Sequence, residues 1–253
     1  KAKEVEEGKK RLVEIGINPN KPYVCLIVRD GGHYKSKGDF ESAGFELLNF
    51  DINNFSGVAE ELIDNGFQVI RMGSGTESPF INKPEGVIDY ALSEYRSEFL
   101  DVFIAATCEF AVSTQTGPDA VCMLFRRPVL YVDVTSYCQF FFGSKIATWS
   151  PVRLMKKGKI LNLSEVANSE IAWFKDPNSF AINGISQQKS SNNELRHLVQ
   201  SYIHARGRED ETASRIRSVV SRGLGEQGRL QFGEVTACIV PDADRILGDW
   251  VMK

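Results

Sequence analysis

The sequence predicts an α/β fold built on a doubly wound, mostly parallel sheet, with additional helices toward the C-terminus. In the first half of the chain, short continuous apolar runs alternate with segments whose apolar residues recur at helical spacing. Polar, glycine-containing turns follow several of these runs, as expected where parallel strands end. With 253 residues and an apolar content of 42%, the chain is long and apolar enough to bury a substantial core.

Local patterns support each element of this first half. Residues 1–20 are predicted as a leading helix, which Gly16 and the pair Asn18-Pro19 bring to an end. Residues 52–65 have helical periodicity and end at Gly66, and Ser93 is expected to cap a short helix. The apolar runs are predicted as strands at residues 23–28, 67–72, 87–92, 101–106, 110–113 and 128–132.

The segment from Asp101 to Asp133 carries the most specific pattern, a strand, loop, helix and strand unit of a parallel sheet. Its polar turn, Ser113-Thr114-Gln115-Thr116-Gly117, lies between a strand end and a helix that opens near Gly117. Free backbone N–H groups and hydroxyls there, together with the helix dipole, stabilise an anion. A phosphate-bearing ligand is therefore expected, although Ser and Thr also cap helices when no ligand is present.

The second half is predicted as a helical extension over residues 151–253 that packs on the sheet domain of residues 21–150. Lys156 to Lys159 is typical of a surface turn, and residues 180–191 are predicted to be irregular. Helices are predicted from Leu163 and at residues 192–206, 211–222 and 232–253.

Composition and motifs exclude several classes of protein. The net charge of −3 and pI near 5.8 argue against a nucleic-acid partner. The five cysteines are odd in number and form no C-x-x-C pair, which is typical of core thiols in a reducing compartment. No apolar run approaches the roughly 20 residues of a membrane span, and the N-terminal stretch is charged, so a cytoplasmic location is expected.

No metal site or nucleotide-binding glycine motif is evident. His197 and His204 lie two helical turns apart, too far to share a metal ion, and no acidic or cysteine cluster completes a site. Neither G-x-x-x-x-G-K-[ST] nor G-x-G-x-x-G occurs, which argues against a kinase, a GTPase or a nicotinamide enzyme.

Four segments are expected to meet at the carboxyl edge of the sheet: residues 29–34, 71–75, 107–109 and 113–117. Arg29 and Arg71 each follow or end a strand, where a guanidinium can bind a diphosphate or a carboxylate in two-point fashion. For Arg71 an ion pair with a neighbouring carboxylate is an equal alternative. Gly73, with Ser74 and Gly75, permits close approach of the backbone to a ligand.

The order of several short motifs in this chain resembles that of a group of bacterial glycosyltransferases associated with surface-polysaccharide clusters. These enzymes are distantly similar to fucosyltransferase-type enzymes of the GT-B architecture. The resemblance covers about residues 8 to 206. It rests on the ordered set VRD-x-x-x-Y, G-F-Q-V-I-R-M-G, I-D-Y, D-x-F-I-x-A-x-C-x-F, Gly-Pro and R-R-P-V-L-Y-V-D. Two departures are Leu48, where relatives have an arginine before Asn49, and Asp133, where they often have asparagine.

The resemblance implies a Rossmann-like, GT-B C-terminal-type half that binds a nucleotide-sugar donor, with Asp89 near the base or ribose. Arg29, Arg71, Gly73 and the turn from Ser113 to Gly117 become donor-binding candidates. It implies metal-independent sugar transfer without a cofactor to a glycan or lipid-linked glycan acceptor, and it leaves open a peripheral membrane association and a missing N-terminal half.

General-base candidates are Asp30, His33 and Asp39, all in the loop after the first strand. Three alternatives stay open beside the transferase. They are a non-catalytic nucleotide- or sugar-binding module, a half-enzyme that needs a partner, and an epimerase or phosphorylase of the same architecture.

Overall fold

The computed structural model describes residues 2–38, 47–205, 210–232 and 234–248. The contacts group the chain into two compact units, residues 1–129 and 130–253. The boundary between these two units falls within the sixth predicted strand, between residues 129 and 130.

The strands of the described residues belong to two sheets. In chain order they are β1 (Tyr23–Ile27), β2 (Gln68–Met72), β3 (Val87–Ile88), β4 (Phe110–Ser113), β5 (Val129–Val134), β6 (Ala147–Pro151), β7 (Arg153–Lys156), β8 (Lys159–Ile160), β9 (Ile185–Gln188) and β10 (Cys238–Ile239).

The larger sheet has seven parallel strands in the order β10-β6-β5-β4-β1-β2-β3, flanked by helices. The chain therefore winds outward from β1 in one direction and from β4 in the other, which is the doubly wound topology. In the pairing register Ile27 lies opposite both Met72 and Ser113. The carboxyl ends of β1, β2 and β4 are level, and the predicted Rossmann-like fold class is confirmed.

The first unit contains five helices in its described residues. They are α1 (Ala2–Glu14), α2 (Gly32–Ser36), α3 (Ser56–Asp64), α4 (Glu98–Thr107) and α5 (Asp119–Leu124), with 3-10 turns at Ile52–Phe55 and Tyr90–Leu92. In α3, Val58, Ala59 and Leu62 are fully buried, which confirms the amphipathic pattern that predicted this helix.

The prediction of a buried strand at residues 101–106 is wrong, because this run lies within helix α4. The Ser97 hydroxyl accepts a hydrogen bond from the Leu100 N–H at 3.3 Å and caps the helix. Leu100 and Ile104 are buried, whereas Val102 is 45% exposed, so only one face of the run is covered. A short apolar run has the same appearance in a buried strand and a buried helix.

Two neighbouring predictions are also corrected. Only Val87–Ile88 of the predicted strand at residues 87–92 is a strand, and a 3-10 turn follows it. Ser93 was predicted to cap the next helix, but the residue that caps helix α4 is Ser97.

The second unit mixes helices and strands, so the predicted helical extension is wrong in part. Its antiparallel sheet has the order β8-β7-β9, and β9 lies within residues 180–191, which were predicted to be irregular. The predicted turn at Lys156 to Lys159 is confirmed, because Lys157 and Gly158 both have positive φ between paired strands. The helices are α6 (Leu163–Ala167), α7 (Pro177–Ile182), α8 (Asn192–Ala205), α9 (Glu211–Phe232, interrupted at Gly225) and α10 (Ala243–Leu247).

Aromatic side chains form much of the core of this second unit. Trp149 is 1% exposed, and its ring contacts Tyr137, Phe140 and Phe142 at centroid distances of 5.3 to 5.7 Å. The free cysteines Cys25, Cys108, Cys122 and Cys138 are also buried, as predicted for core thiols.

Among the described residues, none of the helices has the length and apolar character needed to cross a membrane.

Candidate functional site

A crevice of about 150 Å³ lies in the first unit, beyond the carboxyl ends of β1, β2 and β4. The direction of winding reverses between β1 and β4, and ligands of doubly wound proteins bind at this switch point. The crevice is lined by Ile27, Val28, Arg29, Asp30, His33, Tyr34, Met72, Gly73, Ser74, Thr76, Thr116, Gly117 and Pro118. We call it the switch-point crevice.

Arg29 lines this crevice and lies two residues beyond the end of β1. Its backbone N–H donates to Thr114 Oγ1 at 3.0 Å, and the Thr114 N–H donates to the Ile27 carbonyl at 3.2 Å, so the ends of β1 and β4 are tied together. The guanidinium carbon lies 4.9 Å from the centre of the Tyr34 ring, and Nε donates to Asn49 Oδ1 at 3.4 Å. Burial lowers the pKa of the Arg29 guanidinium. A cation that is partly shielded from water attracts an anion more strongly than an exposed one does.

The two predicted bases differ in their surroundings. Asp30 Oδ1 accepts the Gly32 N–H at 3.1 Å, and Oδ2 accepts the Glu77 N–H at 3.2 Å. The imidazole of His33 packs edge-on against Tyr34 and has no hydrogen-bond partner among the described residues. His33 is therefore better placed than Asp30 to take a proton from a ligand. The third candidate, Asp39, lies outside the described residues.

The turn from Ser113 to Gly117 already surrounds a carboxylate of the protein. Asp119 Oδ2 accepts hydrogen bonds from Ser113 Oγ at 2.6 Å and from the Thr116 N–H at 2.8 Å. Ser113, Thr114 and Asp119 are buried, whereas Thr116 and Gly117 reach the crevice lining. Part of the donor set predicted for a phosphate is thus used internally, and Gln115, with φ of 56°, completes the turn.

Asp119 was missed by the sequence interpretation, although a signal for it exists. Thr116-Gly117-Pro118-Asp119 has the [ST]-x-x-[DE] spacing that marks a helix N-terminus. The helix begins at Asp119, two residues after the position predicted.

Arg71 and Asp89 form a buried ion pair instead of lining the crevice. Arg71 is 1% exposed, and its Nη1 lies 3.2 and 3.0 Å from the two carboxylate oxygens of Asp89. Asp89 Oδ2 also accepts the Phe80 N–H at 3.3 Å. For Arg71 the structure therefore favours the ion-pair alternative. Gly73, one residue beyond β2, does reach the crevice.

Residues 107–109 lie at the opposite edge of the sheet, which corrects their predicted place beside the other strand ends. The Glu109 N–H donates to the carbonyl of Tyr23, the first residue of β1, at 2.8 Å. Since these residues precede β4 and follow helix α4, they occupy the amino ends of the strands.

Two glycines allow the loops around the crevice to pack together. A Cβ on Gly32 would lie 2.1 Å from the Gly75 carbonyl oxygen, and one on Gly75, whose φ is +67°, would lie 3.0 Å from His33 Cα. The backbone of the loop after β2 therefore rests directly on the start of α2.

We expect Gly32→Ala to lower the free energy of unfolding by about 1–3 kcal/mol, because backbone must move to admit the methyl group. Alanine is otherwise the better helix former, so the sign of the effect is diagnostic. Gly117→Ala is the matched control, since a Cβ there meets nothing within 4 Å. Urea unfolding of both variants checks this, and equal stabilities would contradict the close packing of the two loops.

In the described part of the chain, no group of three or more His, Cys, Asp or Glu side chains could hold a metal ion. No protein-family model, curated protein or solved structure matches this chain.

Proposed function

We propose that the chain is the donor-binding part of a bacterial glycosyltransferase that moves a sugar from a nucleotide-sugar to a glycan acceptor in surface-polysaccharide biosynthesis. The observation that carries this proposal is the switch-point crevice, where Arg29, His33 and the backbone of three strand ends face one space. This is the position at which doubly wound domains bind phosphate-bearing ligands. The motif resemblance supplies the reaction class.

In the proposed mechanism Arg29 binds the diphosphate and stabilises the negative charge that develops on it as the sugar leaves. His33 takes the proton of the acceptor hydroxyl as a general base. The acceptor is a glycan or a lipid-linked glycan, and the reaction uses neither a metal ion nor a cofactor. The protein acts in the cytoplasm.

One observation favours a second candidate, a binding module or half-enzyme that needs a partner. The crevice of about 150 Å³ is smaller than the roughly 300–1,000 Å³ of typical ligand sites. We expect a crevice of this volume to hold only the diphosphate region of a donor. The sugar and the nucleoside would then need walls supplied from elsewhere.

A thermal-shift screen against UDP, GDP, CDP, CMP, TDP and ADP tests donor binding. We expect one nucleotide to raise the melting temperature of the wild type, with a stabilisation of about 2.7 kcal/mol at a concentration about 100 times Kd. Arg29→Ala should lose this shift, because it removes the cation of the crevice.

Arg11→Ala is the matched control, since Arg11 also stacks on an aromatic ring, that of Phe99 at 5.2 Å, but lies on α1. It should keep the full shift. The absence of a shift with every nucleotide would count against the donor site. A shift without turnover of any matching nucleotide-sugar would favour the binding module.

A further inference from the structure

Asp30 connects two loops that belong to different strand ends. We call residues 29–36, which comprise the turn after β1 and helix α2, the first loop, and residues 73–77, after β2, the second loop. The carboxylate receives one backbone N–H from each of them, that of Gly32 at 3.1 Å and that of Glu77 at 3.2 Å. Hydrogen bonds to an ionised carboxylate are stronger than neutral ones.

The other contacts between these loops are of different kinds. The Lys35 ammonium lies 2.8 Å from Glu77 Oε2, but both side chains are about half exposed, and such surface pairs contribute little. Gly32 and Gly75 only permit the approach of the two backbones. Asp30 is thus the charged group placed between the loops that can fix their spacing.

Both loops supply walls of the switch-point crevice. The first contributes Arg29 and His33, and the second contributes Gly73, Ser74 and Thr76. Their separation decides whether a ligand can contact Arg29 and the second loop at the same time. Small displacements of positioned groups weaken binding and catalysis strongly.

We propose that Asp30 is a positioning residue, which holds the first and second loops at the spacing that lets Arg29 and His33 address one ligand. This inference rests on the proposed function for the identity of the ligand. It assigns Asp30 no proton transfer, because both carboxylate oxygens already point at backbone N–H groups.

Hydrogen exchange on the intact chain tests the loop connection without any ligand. Asp30→Ala removes both acceptor oxygens. Asp30→Asn keeps the shape of the side chain but has only one acceptor oxygen. We expect amide exchange in residues 31–36 and 73–77 to become about tenfold faster in Asp30→Ala, with a smaller effect in Asp30→Asn. If the alanine variant does not fold, the asparagine variant decides the result.

Asp176→Asn is the matched control, since Asp176 also accepts a backbone N–H, that of Ser179 at 3.0 Å, but belongs to the second unit. It should leave exchange in both loops unchanged. Faster exchange confined to residues 31–36, or no change in either loop, would overturn the proposal.

A second measurement separates positioning from proton transfer. For the nucleotide that stabilises the wild type, Asp30→Asn should raise Kd about tenfold. With the matching nucleotide-sugar, the pH range over which turnover rises should match that of the wild type, because His33 is intact.

Loss of the pH-dependent rise, with turnover reduced by a factor of about 100 or more, would instead identify Asp30 as the base and overturn the proposal. If no nucleotide binds the wild type, the proposed function fails, and hydrogen exchange alone decides whether Asp30 holds the two loops.

Discussion

Asp89→Ala is expected to lower the free energy of unfolding by about 3 kcal/mol, because it leaves the Arg71 guanidinium buried without its counter-charge. Arg71 is 1% exposed, and its Nε already has no partner among the described residues. Arg71→Met should cost less, about 1 kcal/mol, since the Asp89 side chain is 16% exposed and can be hydrated in its absence. Denaturant unfolding of each variant measures these differences.

The double variant Arg71→Met with Asp89→Ala should be more stable than Asp89→Ala alone, because no buried charge remains. Asp101→Ala is the matched control. It breaks the ion pair with Arg96, whose side chains are 31% and 29% exposed, and should cost less than 1 kcal/mol. Additive effects of the two single substitutions would show that Arg71 and Asp89 are not coupled. Because Arg71 is buried in this ion pair, its replacement would change stability as well as any ligand contact. Arg29→Ala is therefore the variant suited to a test of ligand binding.

Asp133→Asn is expected to change how stability depends on pH. Asp133 is the penultimate residue of β5 in the second unit and is 2% exposed. Its carboxylate accepts the N–H and the hydroxyl of Ser190 at 2.9 and 2.7 Å. Burial raises the pKa of its carboxyl from 3.8 to about 6, although the Ser190 hydrogen bonds and the Arg153 charge oppose this. The nearby Glu194 carboxylate acts in the same direction as burial.

The sign of the effect follows from proton binding. The folded state holds this proton more tightly than the unfolded state, so the Asp133 contribution to stability falls as pH rises from about 4 through about 6. With pKa values of 3.8 and about 6, the Asp133 contribution to the free energy of unfolding is about 3 kcal/mol smaller at neutral pH than at acidic pH. Asparagine carries no such charge, and it tolerates the left-handed backbone that Asp133 adopts, with φ of 52°.

The unfolding free energies of Asp133→Asn and wild type should therefore diverge by about 3 kcal/mol between pH 4 and pH 7.5, in favour of the variant. Other carboxylates titrate in this interval, so the comparison uses the difference between the two proteins at each pH. A difference between Asp133→Asn and wild type that stays constant over this pH range would refute the assignment.

The strands around the crevice were predictable because each one is a continuous apolar run followed by a polar turn. β1, β2 and β4 all have this form, and their parallel pairing brings Arg29, Gly73 and Thr116 to one edge. Helix α4 was not recognised, because the five apolar residues at 102–106 are compatible with a strand or a helix. The deciding signal, the cap at Ser97, precedes them.

Partners distant in the sequence were the harder part of the site. Asp89 follows Arg71 by 18 positions, and no local pattern says that the two side chains meet. The Asp30 carboxylate reaches the N–H of Glu77, which lies 47 positions away. The same limit applies to β9 and β10, short strands whose existence depends on partners elsewhere in the chain.

The place of β10 in the large sheet has a consequence for synthesis of the chain. Cys238 and Ile239 pair with Thr148 and Trp149 of β6. Before these two residues are synthesised, one edge of β6 has no strand paired to it, next to the large side chain of Trp149. Unpaired strand edges of this kind favour aggregation of nascent chains. We therefore expect the chain to be most prone to aggregation after Trp149 and before Ile239 has been synthesised.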